Sequence, residues 1–379
     1  MFYRDTWVEI DLDRIYHNVS RIKAHARFET LFAVVKSNAY GHGDIEVART
    51  ALEAGATHLA VAILDEALKL RRHFPQTPIL TMGPIRIDDL AVAAEHRITL
   101  TAHDLDWIDR ATAYAGPRLD IHLKLDTGMH RIGINDPKQL RLACERLRAN
   151  PAFNLCGLFS HFATADSDAA YYQQQLQCFE QLTAALDLSS FEQVHQSNSA
   201  AMLVHGKQPL SNGGRLGIAM YGLTPGADLV LPLPLQQAFS LHSRITQVKR
   251  LRPGDQVSYG GTYVADTEQW IGTLPLGYAD GWLRQHQDRD VEIQGKRYPI
   301  VGRICMDQCM VRIDASIPVG TQVTLLGDLI NITEAANDLQ TINYEIVCTI
   351  SDRVPRIYKR HGQQIGERND RFTELPAGL

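Results

Sequence analysis

The chain has 379 residues, 45% of them hydrophobic and 21% charged, with a formal net charge of −5. That length suits two domains or one large barrel with an addition, and it buries enough apolar surface to dispense with disulfide staples. No basic stripe marks a nucleic-acid face, and no run approaches the ~20 apolar residues that span a bilayer.

From about Asp11 to Arg27 the apolar residues Leu12, Ile15, Val19 and Ile22 recur at helical spacing. Beyond them, apolar β-rich runs alternate with helical patterns. The runs are LFAVVK (31–36), HLAVAI (58–63), PILTMG (78–83), ITLTAH (98–103), LDIHLKLD (119–126), FNLCGLFSHF (153–162), FEQVHQSNS (191–199) and RLGIAMYGL (215–223). Near-continuous apolar strands separated by helices imply parallel pairing with both faces covered. Eight such repeats fit a (β/α)8, TIM-like barrel; an open doubly wound sheet is the alternative.

The pattern changes at the Pro-rich stretch Pro225–Pro234. After it come short alternating segments (FSLHSRITQV, DQVSYGGTYV, QWIGTLPLGY, VEIQGKRYPIVGRI, CMVRID) separated by PGD, QGK and LGD, the grammar of an antiparallel β domain. One helical pattern, TEAANDL, interrupts them. The expected organisation is an N-terminal barrel domain over 1–235, with its leading strand and helix, and a C-terminal, mostly antiparallel β domain over 236–379. Six scattered cysteines include Cys305 and Cys309, which have no second pair at zinc spacing, so no metal site is expected. The stretch MFYRDTWVEIDLDR lacks the apolar core and cleavage site of a secretory signal, so a reducing, cytoplasmic setting is expected.

In a parallel barrel, reactive groups gather where strands end. Lys36 ends the first run, Lys124 and Arg131 flank the end of the fifth, His161 ends the sixth, Ser197 the seventh, and Arg215 opens the eighth. A lysine finishing an apolar strand is poorly solvated, which favours its neutral, nucleophilic amine; the same lysine could equally snorkel to the surface. The segment NGGRLGI reads as a Gly-rich turn whose amides could cradle a phosphate, with hydroxyls from Ser197 and Tyr40 nearby, although such turns mostly just reverse the chain. Read singly, His161 fits a core histidine, Arg131 a solvated loop charge, and Tyr259 an aromatic packed within a strand.

Taken together, AVVKSNAYGHG (33–43), KLDTGMHRIG (124–133), SHFATAD (160–166), QSNSAA (196–201), GGRLGIAMYGL (213–223), VSYGGTY (257–263), LPLGYADGW (274–282), GRICMDQCMV (302–311) and RVPRI (353–357) resemble the alanine racemases, the fold-type III family dependent on pyridoxal 5'-phosphate. The resemblance runs in family order over almost the whole chain and implies interconversion of L- and D-alanine by two opposed bases, supplying D-alanine for peptidoglycan. It implies that Lys36 carries the cofactor and that Tyr259 is the second base. Tyr40, Ser197, Gly217 and Ile218 would hold the phosphate, Arg215 the pyridine nitrogen, and His161 would lie by the ring. Arg131, Met306 and Asp307 would meet the substrate side, Lys124 matches a lysine that is often carbamylated, and Tyr278 matches an entrance gate. A homodimer is implied, with Tyr259, Met306 and Tyr278 serving the other subunit's site. Where many members read SYRVPRI, this chain has SDRVPRI; Asp352 would be repelled by a phosphate and is expected to turn away. A broader-specificity racemase, for instance acting on serine, and a decarboxylase of the same cofactor class are the rival readings, the latter disfavoured by VSYGGTY.

Overall fold

The computed structural model of the protein describes residues 2–226 and 229–371. Two compact units emerge: residues 15–39 with 44–236, and residues 1–14 with 40–43 and 237–379.

The first strand, β1 (Thr6–Asp11), runs into a helix, Leu12–Ala26. Eight parallel strands then follow: β2 (Thr30–Val34), β3 (His58–Val61), β4 (Ile79–Thr81), β5 (Leu100–Ala102), β6 (Leu119–Lys124), β7 (Phe153–Phe159), β8 (Gln193–Ser197) and β9 (Gly213–Leu216). Their order is β4-β3-β2-β9-β8-β7-β6-β5, and a parallel bridge between Leu80 and Thr99 all but closes the circle, so the barrel expectation holds over the open sheet. Strands such as TLFAV are buried along nearly their whole length, as parallel strands covered on both faces must be. Several barrel helices start at a side-chain cap: Asp104 accepts from the amide of Trp107, Asp136 from Lys138 and Gln139, Asp168 from Ala170 and Tyr171, and Asn198 from Ala201. These caps fix the strand-to-helix loops at the barrel's C-terminal rim.

Register irregularities fall at Ile121/His122, between β6 and β7, and at His195/Ser197, between β8 and β9. Bulges re-aim side chains, and here each adjoins a fully buried histidine. Gly157 on β7 is required beside the first: a Cβ there would run into the His122 ring.

In the other unit β1 is an interior strand of a seven-stranded sheet. It pairs antiparallel with Phe239–Arg244 and parallel with Arg356–Arg360. A three-stranded antiparallel sheet (Gln247–Leu251, Gln269–Leu274, Cys309–Ile313) and the small hairpin of Gln256–Val257 with Tyr263–Val264 complete the β structure. Two helices, Ile332–Asp338 at the expected TEAANDL and Asn343–Thr349 beyond it, follow. The described part of 225–234 contains no helix or strand; Ala227 and Asp228 of that linker lie outside the described residues.

Candidate active site

Lys36 stands two residues beyond β2, half-buried, and it opens a turn rather than ending a strand. Ser37, Asn38, Ala39 and Tyr40 all have φ of 52–53° and Gly41 has φ 80°, five consecutive residues in the left-handed region. Each non-glycine there costs roughly 1–2 kcal/mol, so neighbours must hold the turn. Ala39 N donates to Val35 O at 3.0 Å, Ser37 N to Glu66 Oε1 at 2.5 Å, and Asp44 N to Asn38 Oδ1 at 3.1 Å. The residues around the downstream half are fixed by Arg356, whose buried Nε donates to Gly41 O at 3.0 Å. Tyr40 is buried, its ring 6.0 Å from that of Tyr344.

Arg215, on β9 and 3% exposed, is the hub of the barrel's polar interior. Its Nη1 donates to His195 Nδ1 (2.7 Å) and His195 O (2.9 Å), and its Nη2 to Ser160 O (2.7 Å), Gln196 O (3.0 Å) and His161 Nδ1 (3.1 Å). All five bonds use the terminal nitrogens, leaving Nε as the donor that can serve a ring nitrogen. Burial, then Arg131, pushes the Arg215 pKa down to about 9, still charged at neutral pH. His195 passes the chain inward, its Nε2 lying 2.8 Å from His122 Nδ1. Burial first, then the nearby guanidinium, holds His195 and His161 well below the usual imidazole range, and His122 falls to about 3. The rings are therefore neutral. A guanidinium can only donate, so His161 and His195 each accept at Nδ1 and carry their proton on Nε2.

Lys124, the last residue of β6, is 4% exposed. Its Nζ donates to Leu125 O at 2.5 Å and lies 5.4 Å from the centre of the Phe159 ring. Burial, followed by the charges of Arg215 and Arg131, pushes its pKa down to about 7. Arg131 is exposed on the loop after β6, within electrostatic reach of Lys124, His161 and Arg215. That loop is shaped by Asp126, which accepts from the amides of Gly128 and His130, both at 3.0 Å.

Ser197 ends β8 fully buried, and its hydroxyl donates to Gln208 Oε1. The Gly-rich cradle requires correction: Gly213 and Gly214 lie within β9, not in a turn, and a Cβ on Gly214 would sit 2.7 Å from Phe28, so this glycine serves close packing. The amides that leave the strand are at Gly217, which donates to Ser199 Oγ at 2.9 Å, and at Ile218, where a 3₁₀ turn (Ile218–Tyr221) replaces the second half of the expected strand.

In the second unit, Tyr259 is 73% exposed in a 3₁₀ turn between the two hairpin strands rather than packed within a strand. Ser258 before it adopts φ 65°, with its hydroxyl donating to Arg303 O at 2.6 Å and lying 3.3 Å from Cys305 Sγ. Tyr278 and Met306 are joined to the same place: Tyr278 N donates to Cys305 O (3.1 Å) and Ala279 N to Met306 O (3.0 Å). Asp307 accepts from Arg353 Nη2 at 2.8 Å, and Asp352 has turned to Arg371, accepting from Nη2 at 2.9 Å.

The residues thus fall into two groups. Lys36, Lys124, Arg131, His161, Ser197, Arg215, Gly217 and Ile218 belong to the barrel unit, while Tyr40, Tyr259, Tyr278, Met306 and Asp307 belong to the other. Single-residue reading missed His122, His195 and Gln208. Strand periodicity carried a signal for His122, which stands two residues before Lys124 and so shares its face; at His195 the irregularity before Ser197 breaks the alternation.

A barrel whose strand ends collect an amine, two guanidinium groups and neutral imidazoles has the build of an enzyme acting on anionic small molecules. Two family models match the chain: the alanine racemase N-terminal domain over residues 10–225 and the alanine racemase C-terminal domain over 238–358. The chain is 51% identical to alanine racemase of Geobacillus stearothermophilus (97% of each chain covered) and 47% identical to alanine racemase 1 of Bacillus subtilis (97% and 96%). A solved structure of alanine racemase from Bacillus anthracis with bound L-Ala-P superposes with a TM-score of 0.93 at 46% identity, covering 97% of this chain and 98% of that one. The class is therefore an isomerase, an amino-acid racemase. The chain belongs to the alanine racemase family.

Proposed function

We propose that the protein interconverts L- and D-alanine using pyridoxal 5'-phosphate held at Lys36, with Tyr259 of a second copy as the opposing base. One observation carries this reading. Lys36, Lys124, Arg131 and Arg215 all act on His161 to disfavour its protonation, so one end of the barrel carries a concentrated positive potential. A phosphate dianion and a substrate carboxylate would offset it. The donor set fits the cofactor: an amine at Lys36, Arg215 Nε for a ring nitrogen, and for the phosphate the Ile218 amide and Tyr40, with the Ser197 hydroxyl and the Gly217 amide joining them on release from Gln208 and Ser199.

The bound cofactor would supply the electron sink that makes the α-proton of an amino acid removable. The Lys36 amine would take or return that proton on one face, and the Tyr259 hydroxyl on the other. A phenol has a reference pKa near ~10 and acts as a base only when its anion is stabilised. His161 Nε2–H, fixed in that tautomer by Arg215, would donate to the phenolate. Arg215 stays charged and would donate to a ring nitrogen without protonating it. Arg131 would grip the carboxylate with its planar fork, beside Met306 and Asp307 of the second copy. A lysine with a pKa near 7 is partly neutral, so Lys124 can add to carbon dioxide, releasing a proton and forming a carbamate that would orient Arg131. Tyr278 would gate the entrance. Asp352, neutralised by Arg371, leaves phosphate binding to the other donors.

A homodimer working in the cytoplasm, its D-alanine feeding peptidoglycan, completes the reading. Among the described residues no helix is long and apolar enough to cross a membrane, and Cys144, Cys156, Cys178, Cys305 and Cys309 are free thiols. The test is to purify the protein, reduce it with borohydride and map the pyridoxyl-modified residue, then follow D-alanine formation from L-alanine. Modification at Lys36 and loss of turnover in Tyr259→Phe are expected; modification elsewhere, or full activity in Tyr259→Phe, would overturn the proposal.

A further inference from the structure

Gln175 is a polar residue in an apolar stripe. On the helix Ala169–Thr183 the buried residues are Tyr172, Gln175, Phe179, Leu182 and Thr183, and Gln175 is 1% exposed. A buried primary amide must be matched on both its donor and acceptor sides. Here Oε1 accepts from Ala163 N at 2.8 Å, and Nε2 donates to His161 O at 3.2 Å and, more weakly, to Thr127 Oγ1 at 3.4 Å. Bonding to the carbonyl of one residue and the amide of the residue two along is what a neighbouring strand would do, so the side chain acts as a one-residue strand partner for the His161–Ala163 loop. Through Thr127, itself 2.6 Å from Ser160 Oγ, the same amide reaches the loop that bears Arg131. One helical turn earlier, Tyr171 OH donates to Gly128 O at 2.7 Å and pins that loop to the same helix.

We infer that Gln175 is a positioning residue for the reaction: it sets where the His161 imidazole stands relative to Arg215, and couples that placement to the Arg131 loop. The inference rests on the proposed function. Among the described residues the His161 ring receives one side-chain bond, the 3.1 Å contact from Arg215, so its position depends on its backbone. Ser160 N still donates to His195 O at 3.2 Å, and Asn198 Nδ2 holds Phe162 O at 3.3 Å; between them the His161 carbonyl and the Ala163 amide are bonded by Gln175. A displacement of about 1 Å at such a place costs on the order of a hundredfold in rate.

Gln175→Glu and Gln175→Met test the inference, alongside the wild-type holoenzyme. A protonated glutamic acid can accept from Ala163 N and donate to His161 O as the amide does, whereas the carboxylate can only accept and would face the His161 carbonyl. Gln175→Glu should therefore show kcat near wild type at low pH and a falling limb, absent from the wild type, as its carboxyl ionises. Gln175→Met should lose tenfold or more in kcat with KM changed little. Combined with His161→Ala it should lose much less than the product of the separate effects. Independently of turnover, hydrogen exchange at the Ala163 amide should quicken in cofactor-free Gln175→Met. Wild-type racemisation together with an unaltered pH profile in Gln175→Glu and unchanged exchange in Gln175→Met would overturn the inference alone. A wild type that does not racemise would instead overturn the proposed function. Should Gln175→Met fail to fold, the Gln175→Glu profile decides.

Discussion

Arg4 holds Asp280 with both ends of its guanidinium, at 2.9 Å and 2.7 Å, and Asp280 is wholly buried. The same carboxylate caps the turn bearing Tyr278, accepting from Gly277 N at 3.0 Å, with Arg353 Nε 3.6 Å away. Removing one partner of a fully buried pair costs about 3–5 kcal/mol; here Arg4 is 27% exposed and Arg353 stays beside the carboxylate, so the low end applies. Arg4→Ala should therefore destabilise the protein by about 3 kcal/mol in urea unfolding. Arg4→Ala combined with Asp280→Asn should lose less than the sum of the two. A loss under about 1 kcal/mol would place the pair with ordinary surface ion pairs.

Lys124 sets a pH dependence of stability. Its folded pKa is lowered to about 7 from 10.5, so between those values the unfolded chain binds the extra proton. Stability contributed by this group is lowest below about pH 7 and rises through the window to about 10.5, by on the order of a few kcal/mol. Arg215, lowered to about 9, adds in the same direction at the upper end. Urea midpoints in buffer depleted of carbon dioxide should climb more steeply from pH 7 to 10 for wild type than for Lys124→Met. Parallel curves would show the amine to be solvated.

His195→Phe isolates the buried acceptor. The ring stacks on Phe159 at 4.8 Å with 12° between planes, which phenylalanine can preserve, but the bonds to Arg215 and His122 are lost. Leaving a buried guanidinium proton unpaired should cost about 2–3 kcal/mol, and the loosened Arg215 should lower kcat about tenfold or more. Unchanged midpoint and turnover would mean that the other four acceptors suffice.

The strain beside Lys36 is testable at its exposed member. Ser37 adopts φ 52° with its side chain in solvent. Ser37→Gly should stabilise by about 0.5–1 kcal/mol, because glycine enters the left-handed region without a Cβ penalty. Ser37→Val should destabilise by more than that, since branching at Cβ worsens the clash. Equal melting temperatures in all three proteins would remove strain from the account.

Much of the barrel was legible because its strands are apolar runs: all eight expected runs overlap an observed strand. The rim was legible too, since lysine, arginine and histidine at the ends of such runs stand out. What escaped depended on geometry that no local pattern encodes. Lys36 reads as the end of VVK, yet it opens a left-handed turn held by Glu66, a residue thirty positions further along. The GG pair reads as a turn by composition, but it is strand because Phe28 needs the room. Gln175 is the last of three consecutive glutamines, and only the apolar stripe through Tyr172 and Phe179 singles it out. Strand β1 precedes the barrel in sequence yet pairs with Phe239–Arg244, a partner visible only in three dimensions.

The hydrogen-bonded series from His161 through Arg215 and His195 to His122 works as an electrical insulator. A proton arriving on the outer imidazole meets a guanidinium that has no lone pair to receive it, so no hopping route leads toward the barrel axis. Moving the proton to Nδ1 of either ring bonded to Arg215 would set nitrogen hydrogen against nitrogen hydrogen, which locks their tautomer. The series therefore gives no proton relay from His161 to His122.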